Sequence, residues 1–351
     1  MSKGRILSIQ SHVAFGYVGG KAAVFPLQCL GYDVDVVNTV NFSNHTGYGR
    51  FGGSRATAAE LTAVLENMEK NRLLQPERLL TGYIPGSEAL SVVLGLAQKL
   101  REKNPELIYL LDPVLGDSGK LYVSPDVIPI YRAMLPLSTI ITPNWFEVET
   151  LTDVQITDVS SLRRALKILH EQYQVPNVVV SSIPLRPWLH AALPAQARPS
   201  GSEPDASYLL CIASSATDTT KGPAPSAVHI RAVTCLSGYF SGVGDLFSAL
   251  VLAHFRAGPH AGMAGGSHLA HAAAQALAKT HAMLKLTDEY AAALPEEDRL
   301  PTDEELDARE PERKVRRMNG RELRLVQGQD IIRSSALADA KMSSWEGFWE
   351  E

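Results

Sequence analysis

An α/β fold, a three-layer α/β/α sandwich around a central and mostly parallel sheet, is what this sequence predicts. Three observations carry the prediction. Short apolar runs alternate with helical patterns from the first residues, the runs are apolar on both faces, and polar residues cluster just after each run. Strands covered on both faces lose their in–out alternation, and strand–helix alternation implies parallel pairing through helical crossovers. With 351 residues and a 45% hydrophobic composition, the chain can bury a substantial core.

Taken in order, residues 6–9 read as the first strand, 20–30 as the first helix, 34–40 as the second strand and 57–67 as the second helix. Further strands are expected at 78–82, 107–112, 139–142 and 178–182, with helices at 87–103 and 161–174 between them. Ligands of such sheets gather beyond the carboxyl ends of the strands. Loop composition therefore becomes a map, with Ser11-His12, residues 38–49, Thr81-Gly82-Tyr83, residues 112–119, residues 142–147 and Ser181-Ser182 on one rim. Between about 186 and 231, Pro, Ser, Ala and Gly dominate residues 192–204 and 214–226 around a possible strand at 208–213, which reads as two flexible surface excursions. Helices resume at 245–256 and 268–286. The expected organisation is one domain over 1–286 with a low-complexity insertion at about 186–231, followed by a charged extension at 287–351. Within that extension 295–317 reads as solvated, 322–332 is more patterned, and Trp345, Phe348 and Trp349 could dock it on the body.

A formal charge of −5 without any basic tract argues against broad nucleic-acid binding. Cys29, Cys211 and Cys235 have neither zinc-site spacing nor the pattern of a disulfide framework, which fits a reducing compartment. No run approaches the roughly 20 apolar residues of a membrane span, and the first residues lack a signal-peptide pattern. A soluble cytoplasmic protein, with the nucleus also open to it, is the expectation.

The chemistry centres on Ser241-Gly242-Val243-Gly244-Asp245, which runs directly into a helical pattern. Glycines before a helix let an anion approach the free N–H groups. Asp245 would repel a resting phosphate there, so it reads either as a helix cap in a tight turn or as a base. Asp112 and Asp117 stand five residues apart at a strand end and suit either a turn or a Mg²⁺ ion held through water. Thr142-Pro143-Asn144 reads as a helix start with Glu147 in its first turn, which suits electrostatic trim or a site equally. The polar loop 42–49, carrying Phe42, His45 and Thr46, suits recognition of a small polar ring or an ordinary surface turn. Gly16-Tyr17-Val18-Gly19-Gly20 fails the dinucleotide fingerprint, because its spacing is wrong and no acidic residue closes the unit.

In sum the chain resembles the pyridoxal kinases of the ribokinase-like superfamily over most of residues 5–286. The resemblance rests on eight ordered segments: 7–12, 16–19, 25–28, 42–48, 81–83, 112–117, 141–147 and 242–247. It implies ATP-dependent phosphorylation of the 5′-hydroxyl of pyridoxal, pyridoxine or pyridoxamine by a homodimeric enzyme. It further implies that Ser11 and Thr46 hydrogen-bond the pyridine substituents, that Tyr83 and Phe42 flank the ring, and that Val18 and His45 complete the vitamer site. Asp245 matches the base, and Gly242, Val243 and Gly244 match the anion hole. Asp112, Asp117 and Glu147 match positions near Mg²⁺ and the phosphates, while Asn144, Ser181, Ser182 and the 236–238 segment (Leu236, Ser237, Gly238) match the nucleotide side. Asp112, Thr142 and Ser181 also match a monovalent-cation site, usually K⁺.

Departures from the family pattern are local. Val243 stands where threonine is usual, Ser181 where threonine is common, and the lid-like stretch 116–122, with Lys120 and Tyr122, is short. Residues 233–240 diverge, and the 186–231 excursion and the charged tail lie outside the resemblance, as in a fungal-type branch. The rival readings are a hydroxymethylpyrimidine-type kinase of the same fold and a catalytically weak vitamer-binding protein.

Overall fold

The computed structural model describes residues 3–199, 207–217, 225–257, 267–334, 337 and 340–350. Its strands are β1 (Arg5–Val13), β2 (Asp33–Phe42), β3 (Gly53–Arg55), β4 (Arg78–Thr81), β5 (Ile108–Leu111), β6 (Gly116–Asp117), β7 (Lys120–Leu121), β8 (Ile140–Ile141), β9 (Asn177–Pro184), β10 (Tyr208–Ala216), β11 (Ser226–Thr234) and β12 (Ser343–Ser344). Ten of them form one sheet in the order β12-β11-β10-β9-β8-β5-β4-β1-β2-β3, and β6 and β7 form a separate hairpin. The six strands from β9 to β2 in that order are mutually parallel, while β3, β10, β11 and β12 add antiparallel edges.

Successive side chains on a strand point to opposite faces, and here both faces are dry. Leu7, Leu79, Leu111 and Ile141 enter one core, with the helices Ser87–Lys103, Trp145–Thr152 and Val159–Lys167. Their neighbours Ile6, Leu80, Leu110 and Ile140 enter the other, with the helices Gly20–Cys29, Val243–His254 and His268–Ala292. This is the expected three-layer sandwich. Period and caps explain the helices: in Ser87–Lys103 the buried Leu90, Val93, Ala97 and Leu100 recur at three- and four-residue spacing. Thr57 and Glu60 close a reciprocal capping box ahead of helix Ala58–Lys70.

The expected excursion at 186–231 holds more sheet than its composition suggested. β10 runs past the predicted strand, and β11 pairs with it along nine residues in antiparallel register. Cys211 and Ala213 enter one core, while Leu210, Ile212, Val228 and Ile230 enter the other. Residues 200–206 and 218–224 of that excursion lie outside the described residues.

The tail also enters the body. Leu323, Leu325 and Ile332 join one core, and Trp345 and Phe348 join the other. The Trp349 indole N–H donates to the Ser226 carbonyl at 2.8 Å, and β12 pairs with β11. Part of the 295–317 stretch is not solvated: Arg313 and Arg317 both pair with Asp307, and all three side chains are buried. Charges that neutralise one another internally look like a solvated run until their partners are seen. No helix among the described residues is long and apolar enough to cross a membrane.

Candidate active site

A cleft of about 560 Å³ opens beyond the carboxyl ends of β5, β8 and β9 and against the start of helix Val243–His254. That helix begins at Gly242, whose φ of 77° is left-handed and whose missing Cβ would stand 2.0 Å from the Tyr17 carbonyl oxygen. Only glycine meets both conditions. No side chain caps this N-terminus, and the first intrahelical bond is donated by Leu246 to Gly242 O. The N–H groups of Val243, Gly244 and Asp245 are thus left for a ligand. A Cβ on Gly244 would meet nothing within 4 Å, so the backbone there is bare toward the cleft.

Asp245 stands in this first turn with Oδ2 accepting the Gly19 N–H at 2.7 Å. Its Oδ1 has no hydrogen-bond partner among the described residues. Burial pushes the carboxyl above the usual carboxylate range, partly offset by the Gly19 bond. Gly19 itself has φ 55°, and a Cβ on it would lie 2.2 Å from Ser11 Oγ, so Ser11 packs behind this turn.

Opposite Asp245 are two buried carboxylates. Asp112 Oδ2 lies 2.7 Å from Ser248 Oγ, which also sits 2.7 Å from the Gly244 carbonyl and accepts from Thr142 Oγ1 at 3.2 Å. Burial, with repulsion from Asp245, pushes Asp112 up to about 7 against the Ser248 and Thr142 hydrogen bonds. Glu147 lies in the first turn of helix Trp145–Thr152, as the helix-start reading required, and closes a capping box with Asn144. Its oxygens also accept the N–H groups of Leu115 (3.0 Å) and Asn144 (2.8 Å). Burial and the charge of Asp112 nevertheless hold it well above the ordinary range. Asn144 Nδ2 donates to Gly116 O at 2.8 Å, tying the β6–β7 hairpin to this helix. Asp117, in that hairpin, is exposed and accepts only the Ser118 N–H among the described residues.

Neither buried carboxylate meets a basic side chain among the described residues, which suits them to a cation. Among the described residues no group of three or more His, Cys, Asp or Glu converges as a direct ligand set, so the donors fit an ion that keeps much of its water, as Mg²⁺ does.

The remaining predicted residues divide. Val18, His45, Thr46, Ser181, Ser182, Leu236 and Gly238 line the cleft, and Ser11, Phe42, Tyr83 and Ser237 do not. Phe42 packs on Phe51 with ring centroids 5.1 Å apart, and the Tyr83 carbonyl accepts from Thr39 Oγ1 at 2.7 Å. The Ser237 carbonyl accepts from Arg321 Nη1 at 2.9 Å.

A family model described as phosphomethylpyrimidine kinase matches residues 36–187. A pyridoxal kinase of Arabidopsis thaliana is 38% identical over 333 residues, covering 94% of this chain and 92% of that protein. The chain belongs to the pyridoxal kinase family. The human pyridoxal kinase is 39% identical over 257 residues, covering 71% of this chain and 76% of its own. A pyridoxal kinase from Leishmania donovani, solved in complex with ADP, superposes with a TM-score of 0.74 at 28% identity, covering 97% of this chain and 99% of that one.

Several residues of this cleft left no mark in the sequence. Ser248 sits inside an apolar helical run, and only the fold brings it to Asp112. Leu277, Thr280, His281 and Leu284 come from helix His268–Ala292 and line the cleft beside Val243. Thr280 Oγ1 is buried there without a hydrogen-bond partner among the described residues. Glu322, from the tail, accepts from His45 Nε2 at 3.1 Å.

Proposed function

We propose that this protein transfers the γ-phosphoryl group of ATP to the 5′-hydroxyl of pyridoxal, pyridoxine or pyridoxamine, with Asp245 as general base. One observation carries the reading: Asp245, with one carboxylate oxygen fixed by Gly19 and the other free, stands in the first turn of an uncapped helix whose Gly244 is bare toward the cleft. A base and an anion cradle in one turn are what an alcohol kinase requires. Asp245 takes the hydroxyl proton as the vitamer oxygen bonds to the γ-phosphorus and the bond from that phosphorus to the bridging oxygen breaks, releasing ADP. The N–H groups of residues 243–245 hold the charge spread over the transferring oxygens. Val243 brings no hydroxyl to the cradle, so within the cradle the backbone amides are the only donors to these oxygens.

Asp112, Asp117 and Glu147 are the residues we assign to a divalent cation, Mg²⁺ by preference, which when bound neutralises phosphate charge. Asp112, Thr142 and Ser181 are assigned to K⁺. Val18, His45, Thr46, Ser11, Phe42 and Tyr83 form the proposed vitamer half, with Ser11, Phe42 and Tyr83 set behind or beside the cleft wall. Asn144, Ser181, Ser182 and residues 236–238 form the nucleotide half. A Leishmania donovani pyridoxal kinase solved with ADP and pyridoxamine, 27% identical to this chain, supports a site of two such halves. Three cysteines without disulfides support a cytoplasmic location. A homodimer is the proposed assembly, and exposed Phe15, Val36 and Phe51 near the open β2–β3 edge offer apolar area for it.

The test compares phosphorylation of pyridoxal and of hydroxymethylpyrimidine with ATP, Mg²⁺ and K⁺. Preference for pyridoxal is expected. Preference for the pyrimidine alcohol would transfer the protein to the rival kinase class, and vitamer binding without turnover would make it a binding protein.

A further inference from the structure

The tail residue Glu322 is only 6% exposed, and its carboxylate collects three donors from two separate loops. Oε2 accepts the Tyr17 N–H at 2.9 Å. Oε1 accepts from Tyr48 OH at 2.8 Å and from His45 Nε2 at 3.1 Å. Among the described residues no lysine or arginine pairs with it; hydrogen-bond donors hold the charge, together with His45 when that ring is protonated. Burial pushes this carboxyl up, but the hydrogen bonds from His45, Tyr17 N–H and Tyr48 outweigh it and leave Glu322 below the usual range.

These contacts reach the reacting centre through short chains of bonds. Tyr17 is followed by Val18, which lines the cleft, and by Gly19, whose N–H holds Asp245. The Tyr17 carbonyl closes on Gly242. At His45, Nδ1 accepts the Gly47 N–H at 3.1 Å and stands 3.3 Å from Ser241 Oγ, next to the cradle. With Nδ1 accepting, the ring proton belongs on Nε2, directed at Glu322. Gly16 makes room for this arrangement, since a Cβ there would lie 2.4 Å from Glu322 Oε1.

We propose that Glu322 is a positioning residue for the vitamer half of the site, fixing the 14–19 and 43–49 loops against each other and the proton of His45 on Nε2. The proposal rests on the kinase reading above. A carboxylate that only supported the fold would affect both substrates alike, whereas this one touches the vitamer side and nothing on the nucleotide side.

Steady-state kinetics of Glu322→Gln, which keeps the shape but leaves an amide N–H₂ facing one of the three donors, are the test. The KM for pyridoxal is expected to rise about tenfold or more while the KM for ATP stays within about twofold. Adding His45→Gln should cost little beyond either single change, since the two residues act as a unit. Tyr48→Phe, which removes one donor without altering charge, should raise the pyridoxal KM about threefold, again sparing ATP. If Glu322→Gln does not fold, the Tyr48→Phe result decides by the same criterion. Unchanged KM values, equal rises for both substrates, or full additivity with His45→Gln would overturn the proposal. Wild-type protein that phosphorylates no vitamer would instead sink the kinase reading itself.

Discussion

A methyl group added at Gly244 would meet no protein atom within 4 Å, so Gly244→Ala should leave the fold intact and raise stability by about 0.5–1 kcal/mol. The same methyl would stand in front of the free N–H groups, and turnover should fall about 100-fold. Thermal unfolding and the kinase assay on one preparation check both signs; a stable variant with unchanged turnover would move the phosphoryl site elsewhere. At this scale the sequence was legible where chemistry is local. Gly242, Gly244 and Asp245 are neighbours, and their meaning lies in their spacing. Ser248 and Glu322 were illegible for the opposite reason. Their partners Asp112 and His45 stand 136 and 277 residues away, and nothing local to a serine in an apolar helix or a glutamate in a charged tail marks such a meeting.

Among the elements, helix Trp145–Thr152 shows how a cap can also serve a site. Asn144 caps it, supports Glu147 and holds the β6–β7 hairpin through Gly116 O. Asn144→Ala is expected to lower stability by about 1 kcal/mol and to raise the KM for ATP, because the hairpin and Glu147 lose a shared anchor. A denaturation curve with kinetics for both substrates separates these effects, and a change confined to the pyridoxal KM would contradict the assignment. The parallel strands could be read from their apolar runs, because both faces are buried. β11 could not: its alternating pattern lies beside Pro- and Ser-rich sequence, and its pairing with β10 is antiparallel and outside the strand–helix rhythm. The tail was legible in part: Trp345 and Phe348, the aromatic residues expected to dock it, are buried in one core, whereas the Arg313 and Arg317 pairs look solvated until Asp307 is found between them.

The whole molecule carries a set of histidines that folding keeps neutral. Burial lowers His170, His229, His271 and His281, and lowers His254 to about 3, with the charge of Lys279 adding to the effect there. Unfolded, these rings take up protons near pH 6.5. The unfolded state therefore binds more protons than the folded state once the pH drops below that value, and stability falls toward each folded pKa. The histidines' contribution to the thermal midpoint should fall from about pH 6.5 downward, opposed by Asp112, Glu147 and Asp245, whose raised carboxyls take up protons first in the folded state. His170→Gln, at a ring bonded to Val175 O and Ser214 Oγ, should flatten part of that slope, and an identical slope would remove His170 from the account. The central claim joins the sandwich, the cleft and the cradle at one carboxylate. It is tested most directly by measuring pyridoxal phosphorylation and ATP binding on Asp245→Asn beside the wild type. Turnover falling by about 10²–10⁴-fold with ATP affinity unchanged is the expected result; turnover retained in a folded variant would contradict it.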